Sequence, residues 1–199
     1  MKKNVCIIDY KVGNIRSLIN ALISLNVNVS LTDDHDEILN SDAVILPGVG
    51  SFHHGMSNLL DKKLDQVIFD FIDSGKPVMG ICLGMQLMMK SSEEFVKTEG
   101  LGIFDGHVKK LPDDLGFSVP HIGWEQVNFT DSSETYDYFF CHSYVAMLDN
   151  KNHMYAECDN GFYKFCAAVM KENVVGYQFH PEKSGKYGIK LIQSFVNKI

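Results

Sequence analysis

A chain of 199 residues has the length of one domain with a single sizeable core. Its 45% apolar and 22% charged residues are those of a soluble globular protein, and a formal net charge of −7 argues against nucleic acid or an anionic membrane as partner. The opening apolar run, Val5–Ile8, stops at Asp9, short of the roughly 7–15 residues of a signal peptide and the about 20 of a membrane span, so a cytoplasmic location is expected.

In chain order, Val5–Ile8 reads as a short buried strand. Ile15, Leu18, Ile19, Leu22 and Ile23 fall on one helical face, with Gly13 for the turn and Asn14 as cap. Strands are expected at Val27–Leu31 and Ala43–Leu46, separated by a short helix around Asp36–Asn40 capped by Asp33 or Asp34. Leu64, Val67, Ile68, Phe71 and Ile72 mark another amphipathic helix, closed by Gly75 with Pro77 just beyond. Val78–Ile81 is then a strand and Leu83–Lys90 a helix. Strands alternating with amphipathic helices predict an α/β fold, an open and mostly parallel sheet flanked by helices. From Gly106 the pattern turns β-rich, with strands expected at Val108–Leu111, Trp124–Phe129, Tyr138–Tyr144, Met154–Glu157, Ala167–Met170 and Val174–Gln178. A closing helix over Tyr187–Ile199 presents Ile192, Phe195, Val196 and Ile199. No repeat or linker interrupts the chain, so residues 1–199 are expected to form one domain that includes the β-rich half.

The most informative segment is Pro77-Val-Met-Gly-Ile-Cys-Leu-Gly-Met-Gln86. Cys82 stands where a buried strand passes into a helix, with Gly80 and Gly84 two residues to either side. This is the G-x-nucleophile-x-G elbow with cysteine in place of serine: the turn is sharp, and side chains at those two positions would collide. Such a turn exposes the sulfur at the carboxyl end of the sheet, where open α/β folds place their ligands. The helix beginning at Leu83 favours a thiolate, and the Leu83 amide is expected to be free to donate to an oxyanion. The five cysteines are odd in number and contain no C-x-x-C pair, so neither a disulfide framework nor a metal site is indicated, and no cofactor is called for. Cys6, Cys141, Cys158 and Cys166 are expected to be buried small hydrophobes.

A thiol nucleophile needs a base. In Tyr177-Gln-Phe-His-Pro-Glu-Lys-Ser184, His180 and Glu182 are two apart and, on an extended strand stiffened by Pro181, share a face. The carboxylate can then fix the imidazole tautomer and leave the other nitrogen for sulfur. His35, His53, His54, His107, His121 and His153 carry no such pattern and read as ordinary surface or core histidines. Ala43-Val-Ile-Leu-Pro-Gly-Val-Gly-Ser51 is a strand ending in a turn in which Gly48 and Gly50 bracket Val49, so Val49 or Gly50 is a candidate second oxyanion donor. Phosphate binding is disfavoured there, because no G-x-G-x-x-G or Walker lysine pattern is present.

These segments, with Ile8-Asp-Tyr, Gly13-Asn14, Ser92-Glu-Glu94, Gly100-Leu-Gly102, Val119-Pro-His-Ile-Gly-Trp124 and His142-Ser-Tyr144, resemble the class I (triad) glutamine amidotransferases over nearly the whole chain. Within them the set is similar to the glutaminase subunits of imidazole glycerol phosphate synthase. The resemblance implies hydrolysis of glutamine to glutamate and ammonia through a glutamyl thioester on Cys82, with Gln86 and Glu94 holding the substrate and backbone groups of Ser143 and Tyr144 near its amino-acid head. It also implies a heterodimer with a (β/α)8-barrel cyclase in histidine biosynthesis, with Asn14, Trp124 and Lys183 at the partner interface or ammonia path. Ammonia is mostly protonated in neutral water, and 199 residues leave no length for an acceptor domain, so a channel into another chain is expected. Lys11, where the family usually has glycine, and Glu125, where asparagine is common, depart from its pattern. They leave open a paralogous role in supplying ammonia to amidation of a bacterial surface sugar.

Overall fold

The computed structural model describes residues 2–13, 15–112 and 119–199; Asn14, the expected cap of the first helix, lies outside them. In chain order the strands are β1 (Asn4–Ile8), β2 (Asn28–Thr32), β3 (Ala43–Leu46), β4 (Val78–Ile81), β5 (Met89–Ser92), β6 (Thr98–Glu99), β7 (Phe104–Lys110), β8 (His121–Phe129), β9 (Thr135–His142), β10 (Tyr144–Leu148), β11 (Met154–Asp159), β12 (Lys164–Lys171) and β13 (Val174–Tyr177). The α-helices are α1 (Arg16–Ser24), α2 (His35–Asn40), α3 (Phe52–Asp61), α4 (Leu64–Asp73), α5 (Leu83–Leu87) and α6 (Gly185–Val196).

Among the described residues, nine strands form one sheet in the order β2-β1-β3-β4-β13-β12-β11-β8-β9, and β10-β7-β5-β6 form a smaller one. The large sheet is parallel from β2 to β13 and antiparallel from there to β9. The α/β class read from the alternation therefore holds, and most of the β-rich half extends the same sheet, while β7 and β10 join the smaller one. The period of two along β1 sets the two faces. Val5 and Ile7 pack with Leu18 and Leu22 of α1 and Ile192 and Phe195 of α6. Cys6 and Ile8 point the other way, into a core shared with Ile38 of α2, Met56 of α3, Val67 of α4 and Leu83 of α5.

Several elements differ from their sequence-based expectation. Ile23 is 59% exposed, because Ala21 rather than Ile23 completes the buried stripe of α1 with Leu18 and Leu22. Helix α3 was not anticipated, although Phe52, Met56 and Leu59 have helical spacing and all are buried. The helix expected over Leu83–Lys90 stops at Leu87, since Met89–Ser92 leaves it to pair with β6 and β7. Leu87, Met88 and Met89 are all fully buried, and an apolar run of that kind has no period by which helix and strand can be told apart. The strand expected over Tyr138–Tyr144 breaks at Ser143 into β9 and β10, which belong to different sheets. Asp34, not Asp33, caps α2, accepting from the Glu37 amide at 2.9 Å. Cys141, expected to be buried, faces outward on β9.

Candidate active site

Strands β3, β4 and β13 are consecutive in the sheet, and each of the three segments singled out in the sequence leaves the carboxyl end of one of them. Cys82 follows β4 with φ 50° and ψ −105°, a backbone conformation that L-residues rarely adopt, and its amide donates to the Tyr177 carbonyl at 2.7 Å. The flanking glycines are required by space. A Cβ on Gly80 would stand 2.8 Å from the Met85 nitrogen, and one on Gly84 would overlap the Leu46 carbonyl. Helix α5 has only five residues, so its dipole is a smaller aid to a thiolate than the longer helix expected.

His180 follows β13. Its Nδ1 lies 2.8 Å from Glu182 Oε1, and the two side chains are 3% and 5% exposed. The pair is joined as expected, but not along a strand: residues Pro181–Lys183 form a 3-10 turn with Pro181 in its first position, where its fixed φ suits a helical start. Ser184 clamps this turn to the neighbouring hairpin, accepting from the Phe139 amide at 3.0 Å and donating to the His180 carbonyl at 2.6 Å. Burial works against charge on His180, but Cys82 and the Glu182 carboxylate outweigh it and raise the imidazole above its ordinary pKa. The geometry thus favours a proton on the imidazole beside the sulfur, while Nε2 is buried with no hydrogen-bond partner among the described residues.

The loop after β3 carries Gly48, Val49 and Gly50, the last with φ 130°. The Leu83 amide is not free: it donates to the Gly48 carbonyl at 3.4 Å. Gly48 C=O and Val49 N–H belong to one planar trans peptide and point in opposite directions, so the Val49 N–H faces away from that of Leu83. Of the expected oxyanion donors, Leu83 and Val49 do not converge in this conformation. Tyr10, fully buried, donates from its hydroxyl to the Pro47 carbonyl and fills the space beside Gly48.

A cavity of about 490 Å3 opens beside Cys82 and is lined by Val49, Gln86, Glu94, Ser143 and Tyr144 among others. All four residues expected at the substrate thus reach one cavity. The Gln86 amide donates to the Tyr144 carbonyl at 2.9 Å and to Gln178 Oε1 at 3.1 Å. Glu94 Oε2 accepts from the Phe52 amide at 2.6 Å; burial raises its pKa and that hydrogen bond opposes the rise. Behind His180, Gly13 and Ile15 line a small hollow with Glu182 and Val49, so the chain on either side of Asn14 adjoins the triad.

Sequence reasoning missed a buried histidine pair. His142 Nδ1 contacts the Tyr144 carbonyl at 3.0 Å, and its Nε2 lies 3.2 Å from His121 Nδ1. His121 Nε2 lies in turn 2.9 Å from Glu125 Oε1. A carbonyl only accepts, so His142 carries its hydrogen on Nδ1 and takes one from His121 at Nε2. Burial, followed by His121, pushes the pKa of His142 down to about 3, which keeps it neutral. Nothing in the spacing of His121 and His142 announces the contact; antiparallel β8 and β9 put them opposite one another.

On the outer side of that hairpin Trp124 is 55% exposed and meets Phe139 edge-on at 5.9 Å, and the Lys183 ammonium lies 5.9 Å from the same ring. Two of the expected partner-facing residues are therefore neighbours. No helix among the described residues is long and apolar enough to cross a membrane.

The family model described as glutamine amidotransferase class-I matches residues 6–199. The chain is 41% identical over 198 residues to the imidazole glycerol phosphate synthase subunit HisH of Listeria innocua serovar 6a, covering 96% of this chain and 94% of that one. It is 40% identical over 198 residues to the subunit of the same name from Dehalococcoides mccartyi, covering 96% and 95%. A crystal structure of a glutamine amidotransferase shares the fold with a TM-score of 0.78 at 16% identity, over 98% of this chain and 99% of that one. By its sequence from residue 6 to the end, and by the fold that carries it, the chain belongs to the class I glutamine amidotransferase family.

Proposed function

We propose that this protein is the glutaminase subunit of an imidazole glycerol phosphate synthase, hydrolysing glutamine and passing the ammonia to a (β/α)8-barrel cyclase in histidine biosynthesis. The observation that carries the chemistry is a buried His180–Glu182 pair held at 2.8 Å beside a cysteine in a strained elbow, at the wall of a cavity able to hold an amino acid. The names of relatives about 40% identical over nearly their whole length support the pathway.

In this reading Cys82 transfers its proton to His180 and attacks the amide carbon of glutamine. His180 returns the proton to the departing nitrogen, so that ammonia leaves and a glutamyl thioester remains. Water, deprotonated by His180, then hydrolyses the thioester to glutamate and regenerates the thiol. Glu182 holds the imidazole tautomer and balances its charge throughout. Gln86 and Glu94 line the substrate cavity, and Trp124 and Lys183, with Asn14 by the family resemblance alone, serve the partner interface or ammonia path.

The resting geometry also supports control by the partner. Turning the Gly48–Val49 peptide over would release Leu83 N–H and bring Val49 N–H beside it, completing an oxyanion hole. The assignment is tested by Cys82→Ala, which should lower glutamine turnover by several orders of magnitude. Near-normal turnover in that variant would remove the mechanism. Failure of the gene to restore growth of a histidine auxotroph lacking the glutaminase subunit, when supplied with the cognate cyclase, would remove the pathway.

A further inference from the structure

We infer that Gln178 is a catalytic residue of this site: its side-chain amide donates a hydrogen bond to the Cys82 sulfur and stabilises the thiolate. The inference rests on the glutaminase reading of Cys82 and adds to the triad a group that the motif around His180 does not single out.

Gln178 and Cys82 are each the first residue beyond a strand, and those strands, β13 and β4, are parallel neighbours with Tyr177 opposite Ile81. The ladder therefore delivers both residues to the same level of the sheet. Gln178 is fully buried, and its Nε2 lies 3.7 Å from the sulfur, within hydrogen-bond reach of so large an atom.

An amide side chain has an oxygen end and a nitrogen end, and only the second helps a thiolate. Here the network decides which one faces sulfur. The Tyr144 carbonyl can only accept, so Gln86 must present its nitrogen there. The same nitrogen is 3.1 Å from Gln178, which must therefore present its oxygen. What remains for the sulfur is the Gln178 nitrogen. Turning either amide over would set donor against donor or acceptor against acceptor inside a buried cluster, where an unmatched polar group is costly.

Besides His180, the sulfur meets the Cys141 carbonyl at 4.0 Å, which can take the thiol hydrogen but offers nothing to an anion. Once the proton has moved to His180, Gln178 donates to the sulfur alongside the imidazolium, and its hydrogen is not one that the reaction consumes. Its orientation is built in before substrate arrives, which is the condition for electrostatic stabilisation without reorganisation.

The test is the rate of Cys82 alkylation by iodoacetamide across pH, with the exposed Cys141 as an internal reference for an intact fold. Gln178→Met keeps the volume and removes the donor. Labelling of Cys82 at neutral pH should slow about tenfold and its pH profile should move to higher pH, with Cys141 labelling unchanged. Gln178→Glu, which keeps the shape and places a carboxylate at the sulfur, should slow it at least as much. It replaces the Met variant if Cys141 labelling shows that variant to be misfolded. Wild-type rate and profile at Cys82 in the folded variant would overturn the inference. Because alkylation needs no glutamine, that outcome is distinct from failure of the glutaminase reading, which Cys82→Ala reports.

Discussion

Cys82 differs from the other cysteines in what surrounds it. Burial pushes the thiols of Cys6 up to about 11 and of Cys158 and Cys166 up to about 12, so none of these forms appreciable thiolate near neutrality. The contest for an alkylating reagent is therefore between Cys82, beside a proton-holding imidazole, and Cys141, exposed on β9. Peptide mapping should find Cys82 modified first, Cys141 more slowly, and the other three silent, with a glutamine analogue protecting Cys82. Modification of Cys141 ahead of Cys82 would show that the elbow does not activate its thiol. The two departures from the family pattern also acquire a physical reading at this scale. Lys11 has φ 64°, which is why glycine is the usual choice there, and it is held by its own side chain on Asp9 at 2.8 Å. Glu125 places a carboxylate oxygen 2.9 Å from His121 Nε2, at the outer end of the histidine pair.

At the scale of elements, the elbow depends on α5 lying close against the ends of β3 and β4. Gly84→Ala would drive a methyl group into the Leu46 carbonyl, a backbone atom that cannot turn aside. This substitution should cost about 2–4 kcal/mol of stability, read as a lowered urea midpoint, and should abolish most turnover by displacing Cys82. The β8–β9 hairpin has a different weakness. His142 binds a proton at about 6.5 when unfolded and only near 3 when folded, so the unfolded state gains protons first as pH falls. Stability should accordingly decline from about pH 6.5 downward and cease to decline on this account below about pH 3. The share between pH 7 and pH 5 is about 2 kcal/mol. Urea unfolding at the two pH values should show a smaller decline in His142→Gln than in wild type; an equal decline would place the acid sensitivity elsewhere.

For the whole molecule the question is how a partner could act on a site closed by its own backbone. Exposed Trp124 and half-buried Phe139 and Lys183 form one cluster, and Phe139 is bound through Ser184 to the turn that carries His180 and Glu182. A partner pressing on this cluster has a short mechanical route to the triad, and the Val49 loop lies beside the same two residues. The isolated chain should therefore turn over glutamine slowly and accelerate by roughly 10²–10³ with the cyclase and its acceptor ligand, about 3–4 kcal/mol of oxyanion stabilisation. Lys183→Ala should reduce that acceleration while leaving the alkylation rate of Cys82 unchanged. Full activity of the chain alone, indifferent to partner and ligand, would exclude a backbone switch.

What could be read from residues alone was whatever local chemistry encodes. The glycines two either side of Cys82, the apolar strands of β1, β3 and β4 and the stripe of α4 each follow from sterics or periodicity within about ten residues. The pairing of His180 with Glu182 was legible for the same reason, although a 3-10 turn rather than a strand brings them together. What the tertiary structure alone decided depends on which strands became neighbours. The order β3-β4-β13 gathers three distant segments at one sheet end, and β8 against β9 sets His121 on His142. The Leu83 amide, free in any reading of its own segment, is engaged because the loop after β3 packs over it. A hydrogen bond between residues far apart in sequence depends on the register of the intervening sheet, and no local pattern specifies that register.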